Sequence, residues 1–256
     1  TASSALNASG SGSASYNSVN IYPTAEGITI SGNIAGPLID LNGADKVTID
    51  GRVNAMGNTR SLTLANTNAT NGTTVCAIRF ILSATTNTVK YCNIKASPTS
   101  TSSGIILFST TTNVGNGNDN NTIDNNNITS SIGGRVVNAI YSAGTGGRTN
   151  NGIIISNNDI YDVWRTASSS NSINLAGNTT SCTVSGNSFY ETTSFAPTGT
   201  FTYRAISLNN TSGNTFVVAD NYIGGSAAQC GGAAFTVNAA FAHLFQGIYL
   251  NVGTTA

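Results

Sequence analysis

A short apolar pattern recurs along the chain: an apolar residue, any residue, and a second apolar residue, usually after a small residue. Side chains of a β-strand alternate between its two faces, so the outer two residues of each triplet would face one side. The middle positions include Asp40, Arg79 and Asn174 and are mostly polar, as expected of a solvated face. The first positions are predicted to form an inward core column: Ile39, Ile78, Ile106, Ile140, Ile173, Ile206 and Ile248.

A second pattern places a β-branched residue five positions before another apolar residue, with a turn between them, as from Val184 to Phe189. The third residue after the first is Cys92 in the earliest copy and asparagine in the others. Asparagine tolerates the left-handed backbone conformation and can hydrogen-bond along the chain. We therefore expect one stacked ladder at a corner of the fold, made by Asn126, Asn158, Asn187 and Asn221.

The spacing of the patterns predicts the fold class. Successive triplets lie about 28 to 42 residues apart, which is typical of solenoids, where neighbouring repeats bury a shared core. The apolar runs are short and bounded by Gly, Asn, Ser and Thr, and no stretch has helical periodicity. We predict an all-β parallel β-helix of about seven coils with variable corner loops. A β-sandwich is the alternative, but it gives no reason to keep one motif in register seven times.

The 256 residues are predicted to form one β-helix segment. Residues 1–18 are rich in Ala, Ser and Gly and are expected to be a flexible lead or a cap, whereas residues 19–253 are expected to form the coils. The triplet at Ile248 is not followed by the second pattern. We therefore expect the segment to be part of a longer chain, or to stack end to end with a copy of itself.

Several stretches resemble a known group of proteins: Ile21-Tyr22-Pro23-Thr24, Gly36–Asp45, Val47–Arg52 and Asn221–Ser226. Together with the two-part Asn-x-Ile repeat, they are similar to the large secreted β-helix repeat proteins of Bacteroidota, within the pectate-lyase-like superfamily. The resemblance covers nearly the whole chain. It implies a right-handed helix and an extracellular or cell-surface location, often with a C-terminal type IX secretion sorting domain, which is not visible in this sequence. It implies little about chemistry, because most such proteins have no assigned activity.

Composition excludes some classes of partner. Charged residues make up 8% of the chain, against roughly 25% in an average soluble domain, and the formal net charge is zero. The ten Lys and Arg residues are scattered, so we expect no nucleic-acid partner. No apolar run approaches the length of a membrane span. We find no phosphate-binding loop and no metal-ligand spacing, and we expect neither a cofactor nor a metal.

Glycoside hydrolysis commonly needs two carboxylates about 5 to 9.5 Å apart. The best cluster is Asp159 and Asp162 near Trp164 and Arg165. These four residues are weak candidates for a binding or catalytic site, and a solvated loop is the alternative interpretation. His243 is the only histidine and has no acid or nucleophile nearby in the sequence, so a surface or packed role is favoured over catalysis.

Two further features leave alternatives open. Tyr141, Tyr249 and Trp164 could form a sugar-stacking platform, although isolated exposed aromatic residues are common. An even number of cysteines in an exported protein permits disulfides, and Cys76 with Cys92 is the first pair to check. Buried free thiols are equally compatible with the sequence. The four cysteines are Cys76, Cys92, Cys182 and Cys230.

These observations favour a structural function. We expect an extracellular stalk, adhesin or filament-forming element without catalytic activity, stiffened by stacked backbone hydrogen bonds. Its partners would be further repeats of the same chain, copies of itself or surface glycans. The alternative is a carbohydrate-binding module, or a polysaccharide lyase or hydrolase of the pectate-lyase-like superfamily.

Overall fold

The computed structural model describes residues 2–110, 115–131, 134–238 and 240–253. The outermost residues of the predicted segment, residue 1 and residues 254–256, lie outside the described residues. Nearly all regular structure in these described ranges is β-strand, with two short 3₁₀ helices at Val53–Ala55 and Ala228–Cys230. None of the described helices is long and apolar enough to cross a membrane.

Three long sheets contain nearly all the strands, and every neighbouring pair within them is parallel. The first sheet contains β1 (Ser4–Asn7), β4 (Pro37–Asn42), β7 (Cys76–Ile81), β10 (Ile106–Phe108), β13 (Asn138–Ser142), β17 (Ser170–Leu175), β21 (Thr202–Asn210) and β24 (Leu244–Val252). The second contains β2 (Val19–Ile21), β5 (Val47–Asp50), β8 (Thr88–Lys90), β11 (Thr122–Asp124), β15 (Ile154–Ser156), β19 (Thr183–Ser185) and β22 (Val217–Ala219). The third contains β3 (Ile28–Gly32), β6 (Leu62–Asn66), β9 (Cys92–Ala96), β12 (Asn127–Ser130), β16 (Asp159–Tyr161), β20 (Ser188–Tyr190) and β23 (Tyr222–Ile223).

The chain visits the three sheets in the same order on every turn, so each coil contributes one strand to each sheet. Two extra strands, β14 (Asn150–Asn151) and β18 (Thr179–Thr180), form a small parallel sheet in the loops of the fifth and sixth coils. Among the described residues, seven complete coils are followed by β24, which is the first strand of an eighth. The predicted parallel β-helix is therefore confirmed.

The core is a stack of apolar columns, one on the inner face of each sheet. The predicted isoleucine column is in register from Ile39 to Ile248. Its first six members are buried. Ile248 is 47% exposed, contrary to the prediction, because no further strand of the described chain covers β24. The expected outward pair is also present, since the Arg79 guanidinium donates to both carboxylate oxygens of Asp40 at 2.9 and 2.6 Å.

The N-terminal residues differ from the expectation of a flexible lead or cap. Ser4–Asn7 forms β1 and pairs with β4 in register, so that Leu6 lies beside Leu41. The coils therefore begin at Ser4 rather than at residue 19. The Ala- and Ser-rich composition hid this strand, because a single inward apolar residue is too little for a period-2 pattern to be recognised.

The corner between the second and third sheets bends through a left-handed residue. The residue before each ladder position has a positive φ, as in Asn125 (55°), Asn157 (54°) and Gly186 (67°). The ladder asparagines themselves are not in this conformation, so the bend and the hydrogen bonds are provided by neighbouring residues. Glycine and asparagine adopt this region with little strain, which is why they recur there.

The asparagine ladder has the predicted stacking. The Oδ1 of Asn187 accepts the backbone N–H and the side-chain Nδ2–H of Asn158, both at 3.0 Å. The Nδ2 of Asn187 also donates to the Ile155 carbonyl oxygen at 2.9 Å. Asn126 and Asn158 repeat this arrangement one coil earlier, and Asn221 accepts from Asn187 one coil later. Each asparagine side chain thus satisfies buried backbone groups of the preceding coil.

The four cysteines are free thiols, including the pair Cys76 and Cys92. Cys76, Cys92 and Cys182 are buried, whereas Cys230 is exposed. Burial raises the pKa of the Cys182 thiol to about 12, and it also raises the pKa values of Cys76 and Cys92. Because the thiolate is the reactive form, these three residues act as small apolar core residues.

The ladder leads to a stability prediction. Replacing Asn187 with Ala leaves the Asn158 N–H and the Ile155 carbonyl without their buried partner. Each orphaned group costs about 1–3 kcal/mol, so we expect a loss of about 3 kcal/mol in the free energy of unfolding. Asn116→Ala is the control, because Asn116 is an exposed loop residue, and it should change stability by less than about 0.5 kcal/mol. Equal shifts of the denaturation midpoint would contradict the ladder.

Candidate functional site

An open cleft of about 750 Å³ lies over the loops that leave the third sheet. These loops follow β6, β9, β12, β16 and β20, so the cleft crosses five successive coils. Eight of its lining residues are serine or threonine, and its charged residues are Arg135, Asp162 and Arg165. A lining of this kind can donate and accept many hydrogen bonds, and it suits a polar ligand.

Arg135 is held between two carboxylates. Its Nη1 contacts Oε2 of Glu191, and its Nη2 lies 3.8 Å from Oδ1 of Asp162. The guanidinium carbon also lies 5.4 Å from the ring centroid of Phe195, a cation–π distance. The charge of Arg135 is therefore compensated by groups of the protein itself.

Asp162 is positioned by the coil that follows it. Thr192 donates to Asp162 from its backbone N–H at 2.9 Å and from its hydroxyl at 2.6 Å. Asp162 has a φ of 53°, which turns the chain directly after β16. Both oxygens of the carboxylate are thereby engaged, and the group is fixed at the edge of the cleft.

Glu191 is the buried carboxyl of this region. It is 1% exposed, and its Oε1 has no hydrogen-bond partner within the described part of the chain. Burial raises its pKa to about 7, and the attraction of Arg135 only partly opposes this shift. The protein covers this carboxyl, so it cannot contact a substrate in this conformation.

Arg165 has a fixed backbone but, unlike Arg135, a guanidinium with few contacts to the described residues. Its backbone is fixed, because its N–H donates to the Ser170 hydroxyl at 2.9 Å and its carbonyl accepts from the Tyr203 hydroxyl at 3.1 Å. Its guanidinium makes one long hydrogen bond, 3.4 Å from Nη1 to the Arg135 carbonyl oxygen. No carboxylate of the described residues lies within 4 Å of it. Most of its five donors have no hydrogen-bond partner in the described part of the chain and can bind a ligand.

The structure separates the four residues that the sequence had grouped. Asp162 and Arg165 both line the cleft. Asp159 lies on the outer face of β16 and pairs with Arg60, with 3.3 Å between Oδ2 and Nη2. Burial raises the pKa of Asp159, and Arg60 partly opposes this effect.

Trp164 is 1% exposed, so it cannot belong to a sugar-stacking platform with Tyr141 and Tyr249. It packs instead in an aromatic cluster under the loops of the last coils, formed with Phe195, Tyr203, Phe235 and Phe245. His243 lies at the edge of this cluster, 6.4 Å from the Tyr203 ring centroid. Its Nδ1 is 3.5 Å from the Phe241 carbonyl oxygen, a contact that gives it no role as a base.

Sequence reasoning missed Arg135 and Glu191. A signal for Glu191 was present, because Asp162 and Glu191 both lie two residues after the last apolar position of successive repeats, Ile160 and Phe189. Residues at equal offsets lie beside each other in adjacent coils, as Tyr161 and Tyr190 do. Arg135 lies in a loop outside the repeat and gives no such signal.

Within the described residues, no group of three or more His, Cys, Asp or Glu side chains could hold a metal ion. Comparison of the chain with models of protein families, with curated proteins and with solved structures finds no match in any of the three.

Glu191 leads to a prediction of pH-dependent stability. An acid whose folded pKa is about 7, against an ordinary 4.5, binds its proton more tightly in the folded state. Below pH 4.5 Glu191 is protonated in both the folded and the unfolded state, so its contribution to stability is fully present. As the pH rises from 4.5 through 7, the unfolded state loses the proton first. The free energy of unfolding therefore falls by about 3 kcal/mol, at about 1.4 kcal/mol per pKa unit.

We expect the melting temperature to fall between pH 5 and pH 8, and Glu191→Gln to remove most of this slope. Asp119 and Asp159, whose pKa values are also raised by burial, will leave some slope. Glu26→Gln is the matched control, because Glu26 is exposed. If the melting temperature of Glu191→Gln falls with pH as steeply as that of the unaltered protein, the pH dependence does not come from the buried Glu191 carboxyl.

Proposed function

We propose that this chain is a stiff segment of an extracellular structural or adhesive protein, with a stalk-like or filament-forming role and no catalytic activity. The observation that supports it is the unbroken asparagine ladder from Asn126 to Asn221, which lies beside a continuous apolar core. Each coil is tied to the next by both backbone and side-chain hydrogen bonds. The extracellular location rests on the resemblance to secreted β-helix repeat proteins.

A stack of this kind resists bending and local opening. The eight strands of the first sheet advance about 34 Å along the axis at roughly 4.8 Å per strand. Opening one coil would expose apolar residues and break the backbone ladder on both sides. Such a unit suits a mechanical role, because a load on one coil is shared with the next.

The last strand supports association with further repeats or with a copy of the chain. Leu244, Ile248 and Leu250 of β24 are exposed large apolar residues. One edge of β24 pairs with β21, and no described strand pairs with its other edge. An uncovered apolar strand edge is a template for further β-pairing.

A polysaccharide lyase or hydrolase is the alternative function. Hydrolysis would need two accessible carboxylates at a suitable separation. In the cleft, Asp162 is occupied by Thr192 and Arg135, and Glu191 is covered. This arrangement favours a structural or binding role over catalysis.

The proposal predicts a protease-resistant protein without lyase activity. Proteinase K should leave the coils intact under conditions that degrade the chain after heating above its melting temperature. Incubation with pectin or alginate, with or without Ca²⁺, should release no unsaturated sugar products. Products that disappear in Asp162→Asn would favour the enzyme, and rapid digestion of the native coils would contradict the mechanical role.

A further inference from the structure

The cleft carries a cationic group that the fold itself leaves unused. Arg135 is compensated by Glu191 and Asp162, whereas Arg165 has no carboxylate partner among the described residues. A guanidinium exposes a planar fork of donors that fits the two oxygens of a carboxylate or a sulfate. The ligand that completes this cleft should therefore carry an oxyanion.

The other residues that line the cleft indicate which chemical groups the rest of the ligand should carry. Apart from the three charged residues, its polar lining consists of serine and threonine residues, including Ser131, Thr166 and Thr192. Hydroxyl groups both donate and accept, and they match a ligand that is rich in hydroxyl groups. Trp164 and Phe195 are buried, so the cleft offers no exposed aromatic anchor for an apolar ligand.

We propose that this cleft binds a saccharide carrying a carboxylate or sulfate group, with the Arg165 guanidinium on the oxyanion and the threonine and serine hydroxyls on the sugar. The proposal rests on the adhesive part of the proposed function and names its ligand class. Arg165 is held for this role by its backbone contacts to Ser170 and Tyr203. The cleft crosses five coils, which gives room for more than one sugar residue.

Calorimetric titration of the purified protein tests this site with three probes: a sulfated heparin tetrasaccharide, a trigalacturonate and a neutral cellotriose. We expect at least one anionic probe to bind and the neutral probe to bind at least tenfold more weakly. The comparison between the first two probes identifies whether sulfate or carboxylate is the preferred oxyanion.

Arg165→Gln should weaken binding of the anionic probe at least tenfold. Arg148→Gln is the matched control, because it removes the same charge from a loop residue outside the cleft and should leave binding unchanged. Thermal melting and proteinase K resistance are measured on the same samples. Unchanged stability with lost binding supports the site.

Three results would overturn the proposal: no binding of either anionic probe, equal affinity for the neutral probe, or equal weakening by Arg165→Gln and Arg148→Gln. Each of these leaves the structural function testable by itself, because a protein that resists proteinase K without binding any saccharide retains its mechanical role. Loss of protease resistance in the wild-type protein would instead count against the structural function.

Discussion

The structure depends on satisfying buried polar groups at the corner between the second and third sheets. A left-handed residue turns the chain there, and the backbone groups around the bend face the interior of the stack. The ladder asparagines bind these groups, as Asn158 does with the Ile123 carbonyl oxygen at 2.9 Å. Because each side chain contacts the coils before and after its own, the ladder sets the register that aligns the isoleucine columns.

Loops can vary in length once that register is set, since they leave the coils at the same corners. The cleft is built in this way, from five loops that follow equivalent strands of the third sheet. Its contacts join residues that are distant in sequence, such as Arg135 and Glu191, whose loops leave the stack two coils apart. The regular coils thus position the variable loops that form the cleft, as a rigid scaffold generally positions functional loops.

The repeating part of the molecule was predictable from the sequence, because period-2 alternation and a fixed offset carry direct information about side-chain direction. This holds for the core column through Ile206, for the asparagine ladder and for the pairing of Asp40 with Arg79. Burial of Trp164 was not predictable, because it depends on aromatic residues from loops and strands of later coils, such as Phe195 and Phe245. Exposure of Ile248 was missed because the repeat shows the register of a residue but not whether another coil covers it.

Hydrogen–deuterium exchange at the ladder amides shows whether the asparagine ladder holds the coils together. The backbone N–H groups of Asn126 and Asn158 lie at corners and donate to an asparagine side chain of the next coil rather than to a backbone carbonyl. If the ladder holds the coils together, these amides should exchange as slowly as the buried strand amides of Ile128 and Ile160, through opening of the whole stack. Exchange as fast as that of exposed loop amides such as Asn116 would contradict the account.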